Sequence, residues 1–387
     1  MQPSRWFAVG QADRSDAQPG LVAADRALAY GNAKLLIVFC SDAHDLGSVV
    51  GQICARAGDV PLIGCTTAGE IATDGPGDAS VVVSALGGDG FSVATAVAGG
   101  ASADLRAAGA RAAGCLASVE DRPHRVLLLL SDGLAGDQQE IVRGAYGVLG
   151  AAVPLVGGCA GDDLKMTRTF QLHGDRVLTN SVVAAGIASD APFGIGVRHG
   201  WRKVGEPMLV TGSYGNRVYT LDDEPALDVY LRHLDVSSAG RSSGEVLARI
   251  ARTHPLGLSR RAGEEQVRFI GGGDFAQRSL ECIAEVPQGG LVWIMEGDSE
   301  SVLDATDAAC RDSLLALNGR PAVGMLAFDC IARRGVLGDQ GIREEIARVA
   351  AISGGVPVAG LYTYGEIART HGMYGFHNQT LVILSMA

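Results

Sequence analysis

Pro61-Leu-Ile-Gly64-Cys65-Thr66-Thr67-Ala-Gly69-Glu70-Ile-Ala72 returns without a gap as Pro357-Val-Ala-Gly360-Leu-Tyr-Thr363-Tyr364-Gly365-Glu366-Ile-Ala368. Pro, Gly, Thr, Gly, Glu, Ile and Ala recur at a constant offset. A weaker copy, Pro154-Leu-Val-Gly157-Gly-Cys159-Ala-Gly161-Asp162, brings its acid one residue early. Copies this far apart mark duplicated structural units rather than a solenoid, whose periods are much shorter.

The flanks repeat as well. An apolar run precedes each copy: Leu35-Leu-Ile-Val-Phe39, Val126-Leu-Leu-Leu-Leu130 and Val323-Gly-Met-Leu-Ala-Phe328. The first two end in Ser41-Asp42 and Ser131-Asp132. Helical patterns follow over 45–57, 137–149 and 341–353, with Val49, Val50, Ile53 and Cys54 on one face of the first. Each copy then leads into another β-rich run, at 80–84, 181–185 and 379–384. The unit is strand, helix, strand, acidic turn, strand. Such alternation predicts an α/β protein with mixed sheets, in two domains over 1–222 and 223–387. Pro225-Ala-Leu-Asp-Val-Tyr-Leu231 opens a helix just past the expected boundary.

With 387 residues and 47% apolar content, the chain is long enough for large cores, and a mean hydropathy of +0.18 suits a globular protein. A net charge of −11 argues against nucleic acid or an anionic membrane as a main partner. No apolar run has the length of a membrane span. Met1-Gln-Pro-Ser-Arg-Trp6 has no signal-peptide core, so the expected location is cytoplasmic. The eight cysteines form no C-x-x-C pair and no zinc spacing, which predicts free thiols.

The repeated turn gathers small residues, hydroxyls and an acid at the end of an apolar strand. Ligands of open α/β sheets bind at strand ends. Glu70 and Glu366 can accept hydrogen bonds from an amine or hydroxyl, or can cap backbone amides in a tight turn. Candidate ligand-binding residues are Cys65, Thr66, Thr67, Glu70, Cys159, Asp162, Tyr364, Glu366, His377 and Asn378, expected to border a pocket between the two domains. His377-Asn378 can equally close a hairpin. No nucleophile elbow, P-loop or His-Glu-x-x-His pattern is present, so a binding protein is expected rather than an enzyme.

Several stretches resemble the FIST family. Leu62-Ile-Gly-Cys65-Thr-Thr-Ala-Gly-Glu70, Gly157-Gly-Cys-Ala-Gly-Asp162, Val197-Arg-His-Gly-Trp201 and Leu221-Asp-Asp-Glu-Pro-Ala-Leu227 are similar to its N-terminal domain and exit. Phe328-Asp-Cys-Ile-Ala-Arg333, Gly360-Leu-Tyr-Thr-Tyr-Gly-Glu366 and His377-Asn-Gln-Thr-Leu381 are similar to its C-terminal domain. The resemblance implies a sensory module of bacterial signal transduction that takes a small ligand. In one branch the implied ligand is non-covalent haem, sensing nitric oxide and acting on a histidine kinase; F-box relatives use the same domains for protein interaction. Haem is therefore a possible cofactor, with His199, beside Gly200-Trp201, as the candidate axial ligand and His371 and His377 as competitors. No F-box, kinase or cyclase segment is legible in these residues, so the expected output is through a separate partner, a histidine kinase or a cyclic-nucleotide signalling enzyme.

Overall fold

The computed structural model describes residues 4–237, 240–259, 266–370 and 374–387. Three units of one plan follow each other: edge strand, helix, central strand, helix, parallel strand, short hairpin, return strand. In the first unit the central strand Ala33–Cys40, helix Leu46–Ala57 and strand Leu62–Thr66 form the expected strand–helix–strand element, its two strands parallel. The second repeats them as His124–Ser131, Gln138–Leu149 and Leu155–Cys159. The third uses Gly324–Cys330, Ile331–Ser353 and Val358–Thr363. The chain is thus α/β, built from related strand–helix–strand units with mixed sheets.

The recurrence of the first glycine in all three copies of the phrase has a steric cause. Gly64, Gly157 and Gly360 lie opposite Val38, Leu129 and Ala327 in the three parallel pairs. A Cβ at these glycines would sit 2.3, 1.9 and 2.0 Å from the carbonyl oxygen of that opposite residue. Only glycine lets the strands come this close.

The hairpin that follows each phrase leaves its own unit. Glu70–Ala72 pairs with Ala359–Leu361 of the third unit. Gln171–His173 of the second pairs with Ile63–Cys65 of the first. Glu366–Arg369 of the third pairs with Leu155–Gly158 of the second. The exchange is cyclic, so each six-stranded sheet is completed by its neighbour's hairpin. Side chains from all three sheets meet in one apolar cluster, where the Phe39 and Phe328 rings stack edge to face at 6.3 Å.

Between the third unit's edge strand, Phe193–Arg198, and its first helix, Ser299–Leu315, lies an insertion. It runs from Arg202 to Glu296 and forms a separate antiparallel sheet carrying the helices Ala226–His233 and Gly244–Ala251. Its core, built around Val218, Leu221, Leu227, Tyr230 and Ile294, contains only its own residues. The boundary expected between 222 and 223 falls inside this insertion. The helix expected over 341–353 starts ten residues earlier, at Ile331, and breaks at Gly338 (φ 64°). The break resets the helical phase, which is why the periodic pattern is visible only beyond it. Gly271-Gly-Gly-Asp274 is part of the strand Ile270–Asp274.

Candidate functional site

The acidic turns are internal. Thr67 Oγ1 donates to Glu70 Oε1, and Ser80 donates its N–H and O–H to Oε2 at 3.0 and 2.8 Å. Thr363 Oγ1 donates to Glu366 Oε1 at 2.6 Å, and the Thr380 N–H to Oε2 at 3.2 Å. Each acid therefore ties the start of the exported hairpin to the start of the return strand. Burial pushes Glu70 up to about 7 and Glu366 up to about 8, against the pull of these hydrogen bonds.

The second unit's counterpart is not Asp162. Gln171 faces Cys65 as Glu70 faces Leu361 and Glu366 faces Gly158, and its Oε1 accepts the Ser181 N–H at 3.2 Å. A loop that includes residues 161–168 lies between the strand Leu155–Cys159 and this glutamine and hides the equivalence. Asp162 organises that loop, accepting from the N–H groups of Met166, Thr167 and Arg168 and from the Tyr364 hydroxyl. Burial raises its carboxyl, but these donors outweigh it and leave it at about 2.

A cavity of about 840 Å³ opens between the second unit, the third unit and the inserted sheet. The second unit supplies Gly133, Leu134 and Asp137 from the loop after Ser131-Asp132, and the third supplies Cys330, Ile331, Tyr364 and Asn378. The insertion contributes Arg252, Phe269, Ile283 and Glu285. Leu164, Met166 and Ile283 are exposed apolar side chains at this wall.

The polar groups of the wall are few. Asn378 is 2% exposed; its Nδ2 donates to the His377 carbonyl at 3.0 Å, while its Oδ1 has no hydrogen-bond partner. Reversing the amide would set two oxygens against each other, so the oxygen is the unsatisfied atom. Tyr364 donates to Asp162 and accepts from the Leu164 N–H at 2.7 Å, which pins the 161–168 loop beside the cavity. Burial raises the Asp137 carboxyl. The Cys330 thiol is hydrogen-bonded to Glu366 behind the wall, and burial holds it well above the usual thiol range.

Of the residues singled out from sequence, Tyr364 and Asn378 line this cavity. Cys65, Thr66, Thr67, Glu70, Cys159, Asp162 and Glu366 are fully buried in the strand ends and turns, and His377 lies beside them with its ring Nε2 3.0 Å from the Ala368 carbonyl. Burial raises the Cys65 thiol and puts Cys159 at about 12. His199 sits at the entry to the insertion, where its Nδ1 accepts the Trp201 N–H at 2.9 Å. His371 lies outside the described residues. The described wall thus offers no histidine to a haem, and no described group of three or more His, Cys, Asp or Glu is placed to hold a metal ion. Sequence reasoning missed Asp137, Arg252, Phe269 and Glu285. Only the stretch around Cys330 carried a signal, through its likeness to a known C-terminal domain.

A FIST N domain model matches residues 34–224 and a FIST C domain model residues 226–369. The chain is also 27% identical over 238 residues to the uncharacterised proteins MT0656 and Rv0628c of Mycobacterium tuberculosis, strains CDC 1551 / Oshkosh and H37Rv. These matches cover 58% of this chain and 59% of each relative. No helix among the described residues is long and apolar enough to cross a membrane. The two family models together span most of the sequence, and the chain belongs to the FIST family.

Proposed function

We propose that this chain is a cytoplasmic small-ligand sensor that takes an amino-acid-like metabolite in the cavity between the repeated units and the inserted sheet. The observation that carries the reading is a largely apolar wall that includes Asn378, whose buried Oδ1 has no hydrogen-bond partner. A buried acceptor without a donor costs on the order of 1–3 kcal/mol, which a ligand N–H or O–H recovers. Asp137 and Glu285 favour a cationic amine on the same wall, and Arg252 offers a guanidinium to a carboxylate. Leu134, Phe269, Ile283 and Ile331 suit an apolar side chain. The volume falls in the ordinary range for small-molecule sites, roughly 300–1,000 Å³. Glu70 and Glu366 act from behind, by holding the turns that carry the wall. The signal passes to a separate partner, a histidine kinase or cyclic-nucleotide signalling enzyme.

The test is a thermal-shift screen of the full chain against the common amino acids, simple amines and hydroxy acids. Binding to the native state alone raises Tm with ligand concentration. The reading expects a concentration-dependent rise for at least one amine-bearing compound. No rise with any of them, together with a Soret band on adding haemin, would move the assignment to the gas-sensing class.

A further inference from the structure

We propose that the inserted sheet domain is a hinged lid that closes over the cavity, turning about Gly200 and Gly297. Four observations converge on this motion. First, the insertion is joined to the body by two strands that lie side by side, Arg202 opposite Glu296, so both tethers cross at one place. Second, glycine stands at each crossing. Gly200 has φ 90°, a left-handed conformation that favours glycine, and a Cβ on Gly297 would lie 2.0 Å from the Trp201 ring. Trp201 therefore packs on the bare face of the opposite tether, as a fulcrum. Third, the insertion has its own apolar core and shares few apolar side chains with the body, Ala284, Val267 and Met295 among them. Independently packed parts joined by narrow tethers move as rigid bodies.

Fourth, polar ties cross the cleft. Gln266 Nε2 donates to the Phe376 carbonyl at 2.5 Å, Arg143 pairs with Glu285 at 2.9 Å, and Gln379 Nε2 donates to the Arg252 carbonyl at 2.8 Å. Gln379 also accepts the Trp201 indole N–H at 2.6 Å. Gln379 thus joins the fulcrum to the lid's cavity wall, and it directly follows Asn378, whose oxygen awaits a donor. A molecule seated between Asn378 on the body and Arg252 or Ile270 on the lid touches both parts only when they are together. It favours the closed arrangement by the difference between its affinities for closed and open forms.

The motion adds to the sensing reading but is testable without ligand, so the two fail separately. Spin labels at Val148→Cys on the body and Tyr214→Cys on the lid, on a Cys54→Ser background, report the distance between the parts. A second pair within the lid, Tyr214→Cys and Leu291→Cys, reports its internal order. Pulsed electron paramagnetic resonance is recorded with the ties intact and with Arg143→Ala and Gln266→Ala combined. The hinge predicts that loss of the ties enlarges a longer-distance population between body and lid several-fold, with the pair inside the lid unchanged. Coincident body-to-lid distributions would overturn it. So would broadening of the pair inside the lid, which would show a loosened sheet rather than a hinge.

Discussion

Glu366 shows what a repeated acid contributes. Its carboxyl joins the hairpin to the return strand, and burial lifts its pKa from 4.5 to about 8, as it lifts Glu70 to about 7. A folded-state value above the unfolded one means that the native chain holds the proton more tightly. The stability tied to it is fully present below about pH 4.5, falls as pH rises above that, and is lost by the folded-state values of about 7 and 8. Gln171 does the same work in the second unit with a neutral amide. Glu366→Gln is therefore expected to fold normally and to flatten the fall in Tm between about pH 5.5 and pH 8.5, the wild-type slope in this variant being the contrary result. Glu366→Ala leaves the Thr363 hydroxyl and Thr380 N–H without their acceptor and should lose about 2–4 kcal/mol in chemical denaturation.

Elements of the repeat were legible in the sequence where the pattern is local. Val49, Val50 and Ile53 announce a helix, and Leu35 to Phe39 a buried strand, because period and run length are set by neighbours in the chain. The destination of the hairpins was not legible. Glu70, Ile71 and Ala72 present the same alternation whichever sheet they join, so sequence marks a strand without naming its partner. The cavity was hidden for a related reason. Asn378 and Tyr364 stand in stretches singled out from the sequence, residues 377–381 and the repeated turn, whereas Arg252 and Phe269 reach the site only through the placement of the insertion. The glycine of the parallel pair gives a direct element-scale test. Gly360→Ala puts a Cβ against the Ala327 carbonyl and should cost several kcal/mol, roughly 2–4, measured by urea unfolding. Gly51→Ala, in a helix with open space around it, should instead add about 0.5–1 kcal/mol. Similar effects of the two substitutions would show that the close strand approach is wrong.

At the scale of the whole molecule, the cyclic exchange makes the three units interdependent. The family models divide the chain at residues 224 and 226, yet the sheet that contains Leu155–Cys159 is completed by Glu366–Arg369. A fragment of residues 1–222 lacks that hairpin and leaves Glu70–Ala72 without the strand it pairs with. Expressed alone, it is expected to be insoluble or to give poorly dispersed amide spectra, and co-expression with 223–387 should restore a soluble complex. A well-folded monomeric fragment would show that the exchange is dispensable.

The sensing account rests most directly on Asn378, and titration calorimetry of the full chain tests it. An amine-bearing compound that raises Tm should bind with one-to-one stoichiometry, and Asn378→Ala should weaken that binding by about tenfold or more, the loss of one buried hydrogen bond, while leaving Tm without ligand near the wild-type value. Unchanged affinity in Asn378→Ala would contradict the account.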